Sequence, residues 1–170
     1  VLMDQQQVPS SGSSPVTMKK KVNAIRAKPI KDATEEDVRT LLVALRDDDA
    51  DVRWSAADLL WAIANSRPDL MNEQVVEGAL VFLRDDNYGV RWRAVDLLSA
   101  IARNRPDDLG RKVVEGALVL LRHDSVVVRR RVTDLLSAIA QNRPDDLGRK
   151  VVERALVLLR DDDLNVRWRA

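Results

Sequence analysis

The chain has 170 residues, a formal net charge of +1, 45% hydrophobic residues and no cysteine. This length and apolar content suffice for one folded domain. The lack of cysteine excludes disulfides and thiolate metal sites, and the single histidine, His123, cannot form a metal site alone. No apolar stretch reaches the ~20 residues that span a bilayer, and nothing resembles a cleaved signal. We expect a cytoplasmic protein that binds no metal, cofactor or membrane.

The N-terminal segment differs in composition from the rest of the chain. Residues 1–17 contain a run of glutamines and a serine-rich stretch without apolar periodicity, which predicts a flexible tail or a non-native remnant. Residues 18–33 form a basic arm, in which 18–31 carry six basic side chains and no acidic one, whereas 32–170 hold 22 basic and 26 acidic residues. A short, frayed helix is expected in this arm before Pro29.

The first firmly predicted helix begins after Thr34. This threonine precedes three acidic residues, a pattern that caps the orphan amides and complements the helix dipole. Apolar residues follow at helical spacing, and an aspartate-rich turn at 47–51 ends the helix. A second helix is expected from about 52 to 66, before Pro68, because proline disfavours helix at the residue that precedes it. The two helices form a hairpin and are called helix A and helix B.

A 38-residue period repeats this hairpin. Residues 75–112 match 113–150 at 29 of 38 positions. The units are expected at about 34–68, 69–106, 107–144 and 145–170, within a repeat domain over 34–170. A period of this length is typical of a solenoid, in which each unit buries its apolar face against its neighbours. The fourth unit stops within its helix B, which predicts either a fragment of a longer array or self-association at this open end.

Helix boundaries and apolar positions recur with the same period. Helix A is expected at about 69–84, 107–122 and 145–160, and helix B at about 90–104 and 128–142. One apolar stripe on helix B predicts the side that faces helix A and the adjacent units, and in the second unit it consists of Val90, Ala94, Leu97, Leu98 and Ile101. Gly78 and Gly116 lie inside helix A, where glycine costs up to ~1 kcal/mol relative to alanine. We expect them to permit close helix packing.

The stretch 41–60, LLVALRDDDADVRWSAADLL, resembles a HEAT or HEAT-like repeat, and the resemblance extends over about 34–170. In that family an aspartate in the turn and an arginine early in helix B form a ladder along the stack. The matching positions here are Asp48, Asp86, Asp124 and Asp162, with Arg53, Arg91, Arg129 and Arg167. The resemblance implies an all-α, right-handed α-solenoid of about 3.5 stacked hairpins. It also implies that helix B lines the concave side and most often binds protein.

Candidate binding residues lie on helix B opposite the apolar stripe. Equivalent positions there hold tryptophan, arginine and aspartate at helical spacing, so that they share one face. Tryptophan beside arginine is enriched at interface hot spots. The predicted partner-binding residues are Trp54, Trp92, Arg93, Arg103, Arg130, Arg131, Trp168 and Arg169. The alternative is that each tryptophan packs over the neighbouring helix and each arginine stacks on it or pairs with an aspartate. The binding hypothesis requires Trp92 to be exposed, or to be buried only against a second chain.

The aspartates on this face, Asp58, Asp96 and Asp134, do not predict catalysis. A residue that recurs at the same position in three units has the same role in each unit. An enzyme instead needs a single asymmetric set of catalytic residues in a pocket. The sequence contains no phosphate-binding glycine loop, zinc-protease motif or nucleophile elbow. An enzyme of the alkylpurine DNA glycosylase type, which also has a HEAT-like fold, is a weaker alternative because this array is so regular. The near-identical units also fit a designed or recently duplicated chain.

Two functional hypotheses follow. The first is a non-enzymatic scaffold that binds a protein partner of unknown identity on the concave helix-B face. The alternative is a nucleic-acid-binding solenoid, whose phosphate contacts come from the basic arm and the arginines of the third unit. The residues of the arm are Lys19, Lys20, Lys21, Arg26, Lys28 and Lys31. The net acidic body argues against this alternative, and a short lysine cluster is often a solvated tail.

Overall fold

The structure is a computed structural model that describes residues 15–105 and 108–142. Within these ranges it contains α-helices and two short 3-10 turns and no β-strand. The helices are α1 (Pro15–Arg26), α2 (Glu35–Ala44), α3 (Ala50–Ser66), α4 (Glu73–Phe82), α5 (Tyr88–Asn104), α6 (Asp108–Leu120) and α7 (Val126–Asn142). The pairs α2–α3, α4–α5 and α6–α7 are three hairpins, and each packs against the next. The predicted all-α solenoid of stacked hairpins is confirmed.

Side-chain caps set the starts of the helices. Thr34 accepts a hydrogen bond from the amide of Asp37, whose carboxylate accepts one from the Thr34 amide, so that α2 begins with a capping box. Asp49 caps α3, Asn72 caps α4 and Asn87 caps α5. Each such cap contributes about 0.5–2 kcal/mol to helix stability. The predicted start of the first helix after Thr34 is therefore confirmed.

Helix A differs from the prediction in the second unit. Residues Pro68–Leu70 form a separate 3-10 turn, and α4 begins only at Glu73 because Asn72 caps it. One period later Gly110 replaces that asparagine, and α6 begins already at Asp108. A Cβ atom at Gly110 would overlap the carbonyl oxygen of Arg105. Glycine thus allows the first turn of α6 to lie directly against the end of α5.

Helix B contributes most of the contacts between units. The apolar stripe predicted on α5 is buried, and none of its five residues exposes more than 1% of its surface. The equivalent positions of α7 are buried as well, at Val128, Val132, Leu135, Leu136 and Ile139. Because α5 contacts α3, α4, α6 and α7, the core is continuous across the three hairpins. Truncation of such a leucine or isoleucine to alanine costs about 2–5 kcal/mol.

Helix α1 covers the N-terminal end of the stack. It begins at Pro15, so that residues 15–17 belong to this helix and not to a flexible tail. Met18, Val22 and Ile25 follow the i, i+4, i+7 spacing of one helix face, and all three are buried. The helix contacts α2 and α3. The lysine-rich segment is therefore a packed end cap of the solenoid, as open-ended repeat stacks require, and not a frayed helix.

Several predictions concern residues outside the described ranges. These are the tail over 1–14 and the whole of the fourth unit, with Asp162, Arg167, Trp168, Arg169 and the open C-terminal end. Across the described residues, no helix is long and apolar enough to cross a membrane. In the same ranges, no three histidine, aspartate or glutamate side chains form a group that could hold a metal ion.

Candidate functional site: the helix-B face

The helix-B face is the surface that α3, α5 and α7 present away from the core. These helices contact each other in sequence, α3 with α5 and α5 with α7, so the predicted columns lie on one continuous surface. A groove of about 680 Å³ runs across this surface. It is lined by Trp61, Trp92, Val95, Asp96, Ser99, Arg103, Asp134, Ser137, Ala138 and Gln141. The groove thus combines aromatic surface with hydrogen-bonding groups from all three helices.

Arg93 joins the first two units on this face. Its guanidinium carbon lies 5.5 Å from the ring centroid of Trp54 and 4.9 Å from that of Trp61. The same guanidinium forms ion pairs with Asp58 through Nε at 3.0 Å and with Asp96 through Nη1 at 3.1 Å. A cation over an aromatic face contributes about 0.5–1 kcal/mol at an exposed site and more where water is excluded. Arg93 therefore fixes both tryptophan rings of α3 against α5.

Arg131 repeats this arrangement one period later. Its guanidinium carbon lies 4.5 Å from the ring centroid of Trp92 and 5.2 Å from that of Tyr88. Nη1 donates a hydrogen bond to Asp134 Oδ2 at 3.0 Å, and the side chain is only 10% exposed. Tyr88 and Trp92 meet edge to face with centroids 6.1 Å apart. The two predicted binding arginines, Arg93 and Arg131, thus hold neighbouring units together.

The three tryptophans in this region differ in exposure. Trp54 is half-buried against the core, and its Cδ1 lies 3.1 Å from the position of a Cβ on Gly89 in the next unit. Trp61 is half-buried as well. Trp92 is 39% exposed and lines the groove. Trp92 therefore meets the condition that the binding hypothesis sets, whereas Trp54 packs over the neighbouring helix.

Arg103 and Arg130 are the remaining predicted residues within the described part of the chain. Arg103 is exposed, lines the groove and donates from Nη2 to Asn65 Oδ1 at 2.6 Å. Arg130 is half-buried and occupies the position that Trp54 and Trp92 hold in the first two units. The third unit consequently offers a cation where the others offer an indole ring. The side chains of the helix-B face therefore differ from one unit to the next, although the backbone repeats.

Among the described residues, the turn ladder suggested by the family resemblance has one ion-paired junction, where Arg53 pairs with Asp85 in addition to the predicted Asp86. Arg53 donates from Nε to Asp85 Oδ2 at 2.8 Å and from Nη2 to Asp85 Oδ1 at 3.0 Å. It also contacts Asp86 at 2.9 Å, but that carboxylate is 92% exposed, whereas Asp85 is 7% exposed. Burial raises the pKa of Asp85, but hydrogen bonds from Arg53 and from the Asn87 amide outweigh it and leave the pKa below its usual value. Asp85 is thus the principal ladder acid, because its carboxylate lies inside the turn.

A second ladder in the loops between units was missed by the sequence analysis. Arg105 donates from Nη1 to the carbonyls of Pro68 and Met71, both at 3.0 Å. Arg67 does the same one period earlier, to the Ala33 carbonyl at 3.2 Å. These bonds satisfy carbonyls of the preceding loop, so Arg67 and Arg105 each connect adjacent loops. The recurrence of this arginine every 38 residues was the available signal.

The basic residues of the N-terminal segment lie on α1 and in the turn after it. All six of them, Lys19, Lys20, Lys21, Arg26, Lys28 and Lys31, are exposed. Lys28 donates from Nζ to Asp37 Oδ1 at 2.8 Å. Burial raises the pKa of Asp37, but hydrogen bonds from Lys28 and Thr34 outweigh it and lower the pKa. One cation of this set is therefore part of the contact between the end cap and α2.

Comparison with known proteins identifies the fold. No protein-family model and no curated protein sequence matches the chain. Solved structures do match. The crystal structure of an engineered protein has a TM-score of 0.58 at 21% identity, over 94% of this chain and 72% of that one. This engineered protein and the present chain share the helical-repeat fold.

Two further matches are designed armadillo repeat proteins. One was computationally designed for modular peptide recognition and has a TM-score of 0.56 at 18% identity, over 94% of this chain and 75% of that one. The other is in complex with the peptide (KR)4 and has a TM-score of 0.51 at 18% identity, over 92% of this chain and 79% of that one. At these identities the likeness concerns the fold alone. A helical-repeat solenoid is supported, and HEAT as its particular type stays an interpretation of the repeat motif.

Proposed function

We propose that this chain is a non-enzymatic scaffold that binds a segment of a partner protein on its helix-B face. The observation that carries this proposal is the groove of about 680 Å³, in which the residue Trp92 is 39% exposed. Large, partly exposed aromatic rings in a preformed concavity are typical of interface hot spots. The HEAT resemblance places helix B on the concave side, which is consistent with this location.

Each predicted residue has a specific role in this proposal. Trp92 is the apolar anchor, and Arg103 supplies charge and hydrogen bonds at the groove edge. Arg93 and Arg131 hold the aromatic rings in place, because their guanidinium groups stack on those rings and are paired with aspartates. Such preorganisation reduces the entropy lost on binding. Arg130 would extend the surface into the third unit, and Trp168 and Arg169, which lie outside the described residues, stay predicted binding residues.

The fold comparison supports a binding role. Two solved helical-repeat proteins with this fold are described as designed for modular peptide recognition or as bound to a peptide. The aspartates of the face support a non-enzymatic role, because Asp58 and Asp96 share Arg93 and Asp134 pairs with Arg131. Carboxylates that hold arginines in the same way at successive repeats perform a structural task.

The nucleic-acid alternative has less support from the contacts. Phosphate binding needs accessible cations along a continuous track. Arg131 is 10% exposed and paired with Asp134, and Lys28 is paired with Asp37. Lys19, Lys20 and Lys21 lie on α1, at the end of the stack and away from the third unit.

The test is a selection from a random peptide library against the immobilised full chain, with a random DNA duplex measured in parallel at low and high salt. We expect peptides to be enriched, and we expect Trp92→Ala with Arg103→Ala to weaken the selected peptide at least about tenfold. The matched control is Arg84→Ala with Val81→Ala on the opposite side of the molecule, which should leave peptide affinity unchanged. Enrichment of no peptide, together with duplex binding that falls steeply with salt, would support the alternative.

A further inference from the structure

Helix A presents an exposed row of valines on the side opposite the groove. Val43, Val81 and Val119 are equivalent positions one period apart, and they are 55%, 63% and 74% exposed. Between α2 and α4 the surface has a hollow of about 970 Å³, whose lining includes Leu42 and Phe82. An exposed apolar side chain at the same position of every described unit forms a continuous stripe and not a scattered surface residue.

Opposite charges flank this stripe on two helices. Glu77 lies on α4 four residues before the valine, and Arg84 lies three residues after it, in the turn that follows α4; Glu115 of α6 and Arg122 of the next turn repeat this order. The spacing places each glutamate and its valine on one helix surface, and the arginine follows at the C-terminal end of that helix. All four charged side chains are exposed, and none of them has an ion pair or a side-chain hydrogen bond within the described parts of the chain. The outer surface of α4 and of α6, each with its following turn, therefore carries an acid, an apolar residue and a base in this order.

This order is complementary to itself when two copies meet with their helices A antiparallel. A two-fold axis that lies in the contact plane and runs along the stack places valine on valine. It also places each glutamate of one copy opposite the arginine of the other. A two-fold axis parallel to the helices would instead oppose glutamate to glutamate and arginine to arginine. The charges therefore favour the arrangement in which the helices A of the two copies are antiparallel.

The first unit departs from this pattern. Arg39 occupies the position of the glutamates, and it pairs with Glu35 and Glu36 of its own helix. The antiparallel arrangement would bring this arginine toward Arg46 of the second copy, so the charges oppose contact there. The complementary surface is therefore limited to α4 and α6.

We infer that a second copy of this chain binds on the helix-A face formed by Glu77, Val81, Arg84, Glu115, Val119 and Arg122. The two copies lie side by side with parallel stacks and antiparallel helices A. Because this face is opposite the helix-B groove, each copy keeps its groove free. The inference is independent of the proposed function, since it needs no partner protein.

The charge pattern allows a test with variants of matched composition. In a dilution series of the full chain, the molar mass from sedimentation equilibrium should rise from monomer to dimer. Glu77→Arg with Glu115→Arg should weaken the dimer at least about tenfold, because it opposes like charges across the contact. Adding Arg84→Glu and Arg122→Glu should restore dimerisation, because this fourfold variant has the wild-type composition and the reversed but still complementary order. The fourfold variant mixed with the wild type should form no mixed dimer.

Three outcomes would overturn the inference. The first is a monomer at every concentration, and the second is a dimer that the double variant leaves unchanged. The third is mixed dimers between the wild type and the fourfold variant. Far-ultraviolet circular dichroism and the thermal midpoint of each variant separate loss of contact from loss of fold.

Discussion

His123 follows Arg91 at the same spacing in the repeat at which Asp85 follows Arg53. The Arg53–Asp85 pair has two hydrogen bonds, at 2.8 Å and 3.0 Å, and joins the first unit to the second. At the next junction Arg91 keeps only its bonds to the carbonyls of its own turn. Its Nε is buried and has no hydrogen-bond partner among the residues that the structure describes. The ladder is thus incomplete between the second and third units.

An aspartate in place of His123 should stabilise the protein. His123→Asp supplies the carboxylate that Arg91 lacks, and we expect the free energy of unfolding to rise by about 1.5 kcal/mol, at the lower end of the range for hydrogen bonds to charged groups. Urea denaturation measures this change. His123→Asn is the control, because it can still accept the Ser125 amide bond that His123 Nδ1 now accepts, but it carries no charge. Equal stability of the two variants would contradict the ladder assignment.

The Asp85 carboxylate should make stability depend on acid pH. Its folded pKa lies below the ordinary aspartate value of about 3.9, despite burial, because Arg53 and the Asn87 amide donate to it. The stability it contributes is therefore present above about pH 4 and is lost as pH falls through the folded pKa. The difference in unfolding free energy between wild type and Asp85→Asn should be full at neutral pH and shrink below pH ~4. Asp86→Asn, at the exposed neighbouring carboxylate, should show a much smaller difference at every pH.

The two helix-A glycines should respond differently to alanine. A Cβ at Gly78 would meet Leu42 Cδ2 at 3.5 Å, which is ordinary contact, so Gly78→Ala should gain up to about 1 kcal/mol from helix propensity. A Cβ at Gly116 would overlap Leu80 Cδ1, so overpacking should cancel that gain or reverse it. Thermal unfolding of the two single variants measures the contrast. A gain at Gly116 as large as at Gly78 would show that Leu80 moves aside without cost.

Arg93 should not be replaceable by lysine. Its planar guanidinium stacks on Trp54 and Trp61 while it pairs with Asp58 and Asp96, and an ammonium group cannot match this geometry. We expect Arg93→Lys to lower the unfolding free energy by about 1 kcal/mol. Arg103→Lys, at an exposed site on the same helix, should change it by less than about 0.5 kcal/mol. Equal effects would mean that the aromatic stacking contributes nothing measurable.

The period and the helical spacing predicted most of the fold, because both are local properties of the chain. The Thr34 cap and the buried stripe of α5 followed directly from them. The packing of α1 was missed because its lysines dominate the composition, although Met18, Val22 and Ile25 already had the spacing of a buried face. The ladder acid and the Arg105 contacts depend on how one unit meets the next, which no single-repeat pattern contains. On the helix-B face, residue types predicted which side chains come together, but not which of them stay exposed.

Isothermal titration calorimetry of a selected peptide with wild type and with Trp92→Ala tests whether the helix-B groove is the binding site. We expect Trp92→Ala to lose at least about tenfold in affinity, with the fold retained, because a central aromatic anchor carries much of the binding energy. We expect no loss for Arg84→Ala on the helix-A face. Unchanged affinity of Trp92→Ala, or a loss only on the helix-A face, would contradict the assignment of the binding site to the helix-B groove.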